Sequence, residues 1–470
     1  MRHSLPTRFS FPLAAVVLMS ACSGLAYADQ PSPEPCRIEV VDQQNGWPVP
    51  LVELSTTNHL KWVTDNAGVV AIDAPDLFGR EVWFHIHSHG YQVKADGFGM
   101  RGKRIEVKPG ETVRIEIERI NIAKRLGRLT GVGLYAESQK TGRDLDWTDG
   151  PIFGCDSVQN AVHNGRLYWL WGDTTMANYP LGEFHGTSAT TDIRPLTSFE
   201  PPLKLALDYF VNDQGRARGI APMKGAGPTW VSGYVSLRDA QGTSHLVGTY
   251  TKIRPPMTAY ERGLCVWDDA TETFRHFRTL WREKDPEIPY PDGHPAFWTD
   301  KSGKEWVVFG NPFPTIKIPA TFEGWKDQST WVKLEPQDKV MTAGGEEIDP
   351  HTGHIIWNEY RQRWVAIFMQ AFAKESNFGE LWYAEADQPT GPWGPAVKVV
   401  THDNYTFYNP RIHPEFTADG SPILIFEGTY TEQFTNKAVA TPRYDYNQIL
   451  YRLDLDDPQL APAQQPLSIE

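Results

Sequence analysis

The chain has 470 residues, with 45 basic and 58 acidic side chains that give a formal net charge of −13 at pH 7. This acidic balance argues against binding to nucleic acid or to an anionic membrane surface, and it fits a neutral or cationic substrate. The length predicts two or three domains with a sizeable core.

The first 28 residues have the pattern of a signal peptide: a basic start, the apolar core FPLAAVVLMSA and a small-x-small cleavage site at 26–28. The apolar stretch is too short to predict a transmembrane helix. A second interpretation is a bacterial lipoprotein cleavage site in MSAC, with Cys22 lipidated, although Met19 stands where leucine is usual. Both predict an exported protein of the periplasm or extracellular space, and the second predicts an outer-membrane lipoprotein. Without these 28 residues the chain carries 43 basic and 58 acidic residues, a net charge of −15.

Three cysteines follow the predicted cleavage site, at positions 36, 155 and 265. An odd number in an exported protein allows at most one internal disulfide. Cys155 and Cys265 are the favoured pair, because both fall in the predicted C-terminal domain. None of the three has zinc-ligand spacing, so the sequence predicts that packing rather than cross-linking holds the fold.

Residues 36–120 predict a small β-sandwich. Segments such as CRIEVVDQQNGWPVPLVEL and KRIEVKPGETVRIEIERI alternate apolar and polar residues, and Asn-Gly, Asn-Ala-Gly and Pro-Gly turns separate them. The opening VDQQNGWPVP, the central TDNAGVVAI and the late VKPGETVRIEI resemble carboxypeptidase-regulatory or transthyretin-like domains. The resemblance implies a structural or binding appendage.

The segment HIHSHG places His85, His87 and His89 at alternate positions, so that one face of a strand would carry all three imidazoles. Such a face could bind zinc or copper. An exposed strand face without a metal is favoured, because no carboxylate partner is evident in the sequence.

Residues 121–149 form a basic linker, and residues 150–456 repeat one strand pattern. The second strand of the pattern occurs five times, as RLYWLWGDTT, SHLVGTYTKI, EWVVFGNPF, RWVAIFMQAF and PILIFEGTY. A polar turn and a first strand precede each copy. Antiparallel units repeated in this way predict a five-bladed β-propeller, followed by a C-terminal tail at 457–470. The chain as a whole is therefore predicted to be all-β.

One edge of this predicted propeller collects polar and aromatic residues. In a four-stranded antiparallel blade, the start of strand one, the end of strand two and the start of strand three meet at one edge, around the central channel. The residues that fall there include Asp156, Asp173, Trp230, Arg254, Glu261, Arg262, His294, Asn311, Glu380, Tyr408, Asn409, Arg411, Glu427 and Asn447. The opposite edge holds ordinary turns such as HNG and TADG. This asymmetry predicts a functional site at the mouth of the channel.

The first repeat resembles known carbohydrate enzymes. DSVQNAVHNGRLYWLWGDT resembles the bacterial D-arabinan-cleaving propellers, in which an aspartate before the strand is followed by GDT, and GELWYAEADQPTGPWGP resembles later blades of family 43 glycoside hydrolases. The architecture resembles the arabinanase, xylosidase and fructosidase group. This resemblance implies a glycoside hydrolase acting on a polysaccharide or oligosaccharide, with inversion by analogy to the arabinanases. No clear second-blade aspartate or third-blade glutamate occupies the usual place, so the resemblance does not assign the acid.

Glycoside cleavage needs one carboxylic acid to protonate the leaving oxygen and a second carboxylate to activate water or attack the anomeric carbon. Asp156 is the predicted base, and Asp173 could hold water or shift the pKa of its partner. Glu261 is the predicted acid, with Glu427 and Glu380 as rivals. The predicted substrate-binding residues, whose aromatic members could stack on sugars, are Trp171, Trp230, Arg254, Arg262, His294, Asn311, Tyr408, Asn409, Arg411 and Glu427.

Two of the predicted catalytic residues also have an ordinary structural interpretation. Asp173 could end a strand with a side-chain-to-backbone hydrogen bond. Glu261 could form an exposed ion pair with Arg262. No cofactor and no metal ligand set is predicted, although a channel histidine such as His294 could hold Ca²⁺.

Two other functions fit the same mouth. A polysaccharide lyase would use a tyrosine or histidine as base, and Arg254, Arg262 and Arg411 would neutralise the uronate carboxylate. A non-catalytic propeller would use the mouth to bind a carbohydrate without cleaving it.

Overall fold

The computed structural model of the protein describes residues 33–417, 420–436 and 438–464, and it is all-β, as the sequence predicts. Within these ranges lie 33 strands and the short helix α1 (Phe322–Lys326), and no helix there is long and apolar enough to cross a membrane. Single 3₁₀ segments occur at Pro75–Leu77, Gly133–Tyr135, Glu137–Thr141, Leu196–Phe199, Gln328–Thr330, Pro414–Phe416 and Pro458–Gln464. The predicted signal peptide and Cys22 lie outside the described residues.

Residues 36–119 form a sandwich of two four-stranded sheets. Its strands are β1 (Cys36–Asp42), β2 (Glu53–Thr56), β3 (Lys61–Val63), β4 (Val69–Ile72), β5 (Glu81–His87), β6 (Tyr91–Gln92), β7 (Gly102–Glu106) and β8 (Thr112–Arg119). One sheet has the order β4-β1-β8-β6 and the other β3-β2-β5-β7. Alternation selects the core side chains: Ile115 and Ile117 of β8 are buried, and Glu116 between them is exposed. The likeness to transthyretin-like domains stays a prediction.

The rest of the chain is built from short antiparallel strands. The first group comprises β9 (Lys124–Arg128), β10 (Gly154–Cys155), β11 (Gln159–His163), β12 (Arg166–Trp171), β13 (Thr174–Met176), β14 (Tyr179–Glu183), β15 (Thr187–Thr191) and β16 (Asp208–Tyr209). The second comprises β17 (Thr229–Arg238), β18 (Ser244–Arg254), β19 (Thr258–Asp268), β20 (Thr273–Arg282), β21 (His294–Thr299), β22 (Glu305–Gly310), β23 (Pro314–Pro319), β24 (Val332–Lys333), β25 (Val340–Met341) and β26 (Glu347–Ile348). The last comprises β27 (Pro350–Asn358), β28 (Arg363–Gln370), β29 (Leu381–Ala386), β30 (Val397–Val400), β31 (Thr406–Ile412), β32 (Ile423–Thr431) and β33 (Asn447–Asp454).

Five of the resulting sheets have four strands each, and we name them I–V in chain order. They are β11-β12-β15-β16, β17-β18-β19-β20, β21-β22-β23-β24, β27-β28-β29-β30 and β31-β32-β33-β9. Neighbouring first strands contact one another along the series β11, β17, β21, β27 and β31. Arg411 of β31 donates to the carbonyl of Asn160 in β11 (3.0 Å), which links sheet V back to sheet I. The first strands thus form a ring, while the count of five propeller blades stays a prediction.

Two segments expected to lie outside the repeats take part in their structure. Within the predicted linker, β9 pairs antiparallel with β33 and completes sheet V. Within the predicted tail, Pro458–Gln464 buries Leu460 and Ala463 in the same core as sheets IV and V. The sequence could not reveal the role of β9, because its short basic pattern shows no alternation and its partner lies near the end of the chain.

The favoured disulfide does not form. Cys36, Cys155 and Cys265 are all free and buried in the described residues. Cys155 belongs to the core between sheets I and V, whereas Cys265 packs in the core between sheets I and II, where its thiol donates to the carbonyl of Gly248 (3.4 Å). The predicted pairing is wrong because different cores hold the two thiols.

The sandwich packs on sheet V through a buried guanidinium. Arg125 of β9 donates to the carbonyls of Pro50 (3.0 Å), Leu51 (3.2 Å) and His89, and to Ser88 Oγ (3.0 Å). A buried charge is tolerated when its donors are satisfied in this way. These bonds fix the sandwich to the sheet rather than leaving it as a loosely tethered appendage.

His89 does not share an exposed face with the other two histidines of its segment. His87 is exposed at the end of β5, but His89 follows the strand and is buried against sheet V, with its Nδ1 2.8 Å from the Tyr430 hydroxyl. Burial, with His402 nearby, holds the pKa of His89 well below its ordinary value. The prediction of an exposed face is wrong for His89, because the turn after β5 inserts into the interface.

Candidate active site

Asp156 and Asp173 are held side by side by their backbones. Asp156 lies between β10 and β11, and Asp173 lies between β12 and β13. The Asp156 N–H donates to the Asp173 carbonyl (3.2 Å), and the Gly172 N–H donates to the Asp156 carbonyl (2.8 Å). Both carboxylates are half-buried. The hairpin geometry expected from the sequence therefore does place the two aspartates together.

Gly172 leaves room for the Asp156 carboxylate. A Cβ atom at position 172 would lie 2.2 Å from Asp156 Oδ1, far inside van der Waals contact. Any side chain at position 172 would therefore displace that carboxylate. The order Trp-Gly-Asp at the end of β12 thus has a structural requirement for its glycine.

Asp156 is surrounded by hydrogen-bond donors. The Tyr408 hydroxyl donates to Asp156 Oδ2 at 2.8 Å, and the side chains of Tyr446 and Ser157 also hydrogen-bond to this carboxylate. Burial raises the pKa of Asp156, and these donors act in the opposite direction because they stabilise its charged form. Asp156 is therefore suited to act as an oriented carboxylate.

Asp173 has a poorer set of partners. Burial and then the negative charge of Asp156 raise the pKa of Asp173 to about 7. Its one described side-chain hydrogen bond is from Trp230 Nε1 to Oδ1, at 3.4 Å. Near neutral pH this group therefore holds a proton for much of the time. Two adjacent carboxyl groups with unequal environments are the arrangement from which an acid and a base are made.

Tyr446 belongs to this site although the sequence analysis did not single it out. It is buried, stands in the left-handed backbone region (φ +56°) and hydrogen-bonds to both Asp156 and Tyr408. Its neighbour Asn447, which was expected at the mouth, points away and donates to the carbonyl of Phe153 (2.9 Å). The segment YDYN gave some indication of this role, since one of its tyrosines precedes a strand that starts at the mouth. The sequence alone could not show the direction in which that tyrosine side chain points.

The sandwich holds the segment that carries Tyr446. The Tyr444 hydroxyl donates to the carbonyl of Thr64 in the sandwich (2.6 Å). Arg443 forms an ion pair with the buried Glu137. The backbone on the N-terminal side of Tyr446 is thereby tied to the sandwich at Thr64 and to the 3₁₀ segment that begins at Glu137, which restricts where the Tyr446 hydroxyl can lie.

Trp171 is not available to a sugar. Alternation along β12 directs Leu167, Trp169 and Trp171 to one face, and all three are buried in the core between sheets I and V. The rings of Trp169 and Trp171 stack with their centroids 6.1 Å apart. The prediction of Trp171 as a stacking surface is wrong, because this face of the strand is the core face.

Glu261, the predicted acid, is not in contact with either aspartate. It accepts a hydrogen bond from the Tyr250 hydroxyl (2.7 Å) and forms an ion pair with Arg282 (3.2 Å), both within sheet II. These partners belong to sheet II, so Glu261 stays apart from the two aspartates.

Two of the predicted substrate-binding arginines are already paired. Arg254 bonds to Glu283 (2.7 Å), and Arg262 bonds to Glu287 (2.6 Å). An arginine that captured a uronate carboxylate here would first have to release its glutamate. These pairs therefore weaken the case for a lyase.

Three further predicted residues, His294, Arg411 and Glu427, lie in a buried polar cluster inside the ring of first strands. Arg411 bonds to Glu415 (2.9 Å), and His413 lies 3.1 Å from Glu427. Burial raises the pKa of Glu427 to about 8, and burial, with His354 and Arg411 nearby, holds the pKa of His294 well below its ordinary value. At this depth none of the three is accessible to a polysaccharide, so their predicted contact with substrate is wrong.

The remaining predicted residues divide between the site and its surroundings. Asn409 stands beside Asp156, since its Nδ2 donates to Ser157 Oγ at 2.7 Å. Asn311 instead accepts from the Gly353 N–H (3.0 Å), and Glu380 is buried against Lys398 (2.9 Å).

The buried cluster does not fit Ca²⁺. This ion takes six to eight oxygen ligands, whereas the cluster has only the carboxylates of Glu415 and Glu427 beside three imidazoles and the Arg411 guanidinium. No group of three or more histidine, cysteine, aspartate or glutamate side chains in the described ranges is arranged to hold a metal ion.

Of the comparisons with known proteins, only the one with solved structures finds proteins similar to this chain. No protein-family model and no curated protein matches the chain. Among solved structures, an exo-1,5-α-L-arabinanase from a bovine ruminal metagenomic library is 12% identical with a TM-score of 0.38, over 63% of this chain and 92% of its own. A family 43 endo-arabinanase from Bacillus licheniformis is 13% identical with a TM-score of 0.36, over 65% and 95%. An N-acetylgalactosamine deacetylase from F. plautii is 10% identical with a TM-score of 0.40, over 67% and 94%. Likeness at this level carries no conclusion about activity, so the function must be inferred from the site.

Proposed function

We propose that the protein hydrolyses glycosidic bonds in a polysaccharide or oligosaccharide, with Asp156 and Asp173 as the catalytic carboxyl groups. The observation that carries this proposal is the pair itself: two half-buried carboxyl groups held together by backbone bonds, one rich in donors and one with its pKa raised to about 7. Glycoside hydrolysis uses one carboxyl group of each kind.

Asp156 acts as the carboxylate. The hydroxyls of Tyr408 and Tyr446 orient it and oppose the rise in its pKa that burial causes, and its ionised form can activate water or attack the anomeric carbon. Gly172 leaves Oδ1 free of side-chain obstruction.

Asp173 acts as the acid. A proton on this carboxyl group near neutral pH can pass to the leaving oxygen as the glycosidic bond breaks, and the negative charge of Asp156 favours its retention until then. This assignment replaces Glu261, whose bonds to Tyr250 and Arg282 keep it in sheet II.

The test is cleavage of a panel of plant, algal and bacterial polysaccharides by the mature protein and by Asp156→Asn, Asp173→Asn and Glu261→Gln. We expect reducing ends from the parent, a loss of about 100-fold or more in each aspartate variant, and retained activity in Glu261→Gln. On 4-nitrophenyl glycosides, whose leaving group needs little protonation, Asp173→Asn should lose far less than Asp156→Asn. Ultraviolet-absorbing products would show a lyase instead, and binding without any product would show a carbohydrate-binding protein.

We propose further that the protein acts outside the cytoplasm. The supporting observation is the first 28 residues, with a basic start, an apolar core and a small-x-small site. The mass of the protein recovered from the native host tests this, since removal of residues 1–28 gives one mass and a lipidated Cys22 gives another. A full-length, unmodified chain would contradict both.

A further inference from the structure

Two phenylalanine rings project into solvent beside the candidate site. Phe372 is 76% exposed and Phe434 is 58% exposed. They lie in the loops that follow β28 and β32, the second strands of sheets IV and V. Asp173 follows β12, the second strand of sheet I, and second strands end at the same edge of such sheets. The exposed rings therefore lie on the edge that carries the aspartates.

A continuous row of rings connects the two phenylalanines to Asp156. Phe372 lies 5.3 Å from Phe378 between ring centroids, Phe378 lies 6.0 Å from Phe434, and Phe434 lies 5.8 Å from Tyr408. Tyr408 donates to Asp156. The row is at most about 17 Å long by these centroid distances, and it ends at the catalytic carboxylate.

The backbone holds these rings outward at a cost. Phe372 has φ +53° and Phe434 has φ +64°, a region that side chains other than glycine rarely adopt. The Phe372 N–H donates to the carbonyl of Asn377 (2.6 Å), and Asn377 Nδ2 donates to the carbonyl of Phe434 (2.9 Å), so the two loops support one another. Unfavourable backbone conformations that persist in this way cluster at binding and catalytic sites.

We propose that Phe372, Phe378 and Phe434 form a stacking platform for the sugar residues that extend beyond the bond held at Asp156. The C–H faces of sugar rings pack on aromatic rings, and a row of them suits a linear chain of several residues. The substrate is then an extended oligosaccharide or polysaccharide that runs over sheets IV and V. This inference rests on the proposed function. It adds that the substrate is several sugar residues long and that its chain extends from Asp156 over sheets IV and V.

A protein partner fits this surface less well. Three rings are too few for the core of a stable protein interface, which buries 20–30 residues on each side by common experience. Continuity with Tyr408 also favours an occupant that reaches Asp156, as the rest of a substrate chain would.

The experiment is native electrophoresis in gels that contain debranched arabinan, xylan, β-galactan or bacterial arabinogalactan, with Asp156→Asn as the parent so that the polysaccharide stays intact. Phe372→Ala, Phe434→Ala and the double variant are compared with Phe98→Ala, which removes a ring that is 91% exposed in the sandwich. We expect the parent and Phe98→Ala to be retarded alike by one of these polysaccharides, and the double variant to bind at least about fivefold more weakly. Equal thermal unfolding midpoints would confirm that all four variants are folded.

The outcomes separate this inference from the proposed function. Equal retardation of the parent and the double variant would overturn the platform and leave hydrolysis untouched. Weaker binding of the double variant without cleavage by the unmutated protein would support the platform and overturn hydrolysis. When cleavage is observed, the platform requires that the double variant lose more activity on the polymer than on a 4-nitrophenyl glycoside. No retardation of the parent by any of the four polysaccharides overturns the platform.

Discussion

Replacing Asp173 by asparagine is expected to lower activity on polysaccharides and, above neutral pH, to make the protein more stable. In the unfolded chain this carboxyl group ionises near its ordinary pKa of 3.8, whereas folding raises its pKa to about 7. Between these values the folded state binds a proton that the unfolded state has lost. Stability therefore falls as the pH rises from 3.8 to 7, and the whole penalty is present above pH 7.

The size of the penalty follows from the pKa shift. About three pKa units at 1.36 kcal/mol each would destabilise the folded state by about 4 kcal/mol. Asp173 is half-buried, and water screens part of the effect, so about 2 kcal/mol is a better expectation. Asparagine has no charge to desolvate, and its side-chain oxygen can still accept the hydrogen bond from Trp230.

The assay is urea-induced unfolding of both proteins, followed by tryptophan fluorescence at pH 4, 6 and 8. The difference in unfolding free energy should widen by about 2 kcal/mol from pH 4 to pH 8 in favour of Asp173→Asn, with most of the change below pH 7. Asp192→Asn is the matched control, because the Asp192 side chain is exposed and its replacement should give no such trend. A difference that stays constant or narrows over this range would refute the argument that Asp173 is held protonated.

Three further changes test the contacts around the site. Gly172→Ala should lower activity about 100-fold or more, since its Cβ would displace Asp156 Oδ1, whereas Gly344→Ala, where the nearest atom is 3.7 Å away, should leave activity unchanged. Tyr446→Phe removes a donor that lowers the pKa of Asp156, so that pKa should rise and the acid limb of the pH–rate profile should move to higher pH. Activity should fall about tenfold or more. An acid limb that does not move would contradict this hydrogen bond. Arg125→Met leaves four acceptors of the sandwich without their donor and should lower the unfolding free energy by about 3 kcal/mol, measured in urea; a change below 1 kcal/mol would show that the interface does not depend on it.

Local pattern predicted the parts of this structure that depend on short-range order. Alternation predicted the all-β fold, and a two-strand hairpin with an aspartate at each end was enough to place Asp156 beside Asp173. The sequence also shows which residues of a strand share a face, because side chains alternate along it. Which of the two faces packs in the core depends on the neighbouring sheets, and the local sequence does not show it. The prediction for Trp171 is wrong for that reason, since β12 carries large apolar or aromatic residues on both faces and its sequence does not mark the one that packs in the core.

The remaining errors arise from contacts between distant parts of the chain. The segment that carries Tyr446 to Asp156 is held by Thr64, a residue far away in the sequence, and no pattern around residue 446 indicates that contact. The predicted disulfide between Cys155 and Cys265 depends on their position in one predicted domain, although two different cores hold the two thiols. The roles of Glu261 and Arg411 likewise depended on partners from other strands, which the sequence does not identify.

Strand β9, the fourth strand of sheet V, also determines when that sheet can form during folding. Its partner β33 lies far along the chain, and the two meet through residues such as Arg125 and Tyr451, 326 positions apart. Until then β9 and the far side of β32 are unpaired edges, which other chains could join. Pairing over so long a separation slows folding, because the loop must close before its contacts stabilise it. A chain interrupted before residue 447 would therefore lose more than one strand, since β9 would have no partner in sheet V and the edge of β32 would stay unpaired.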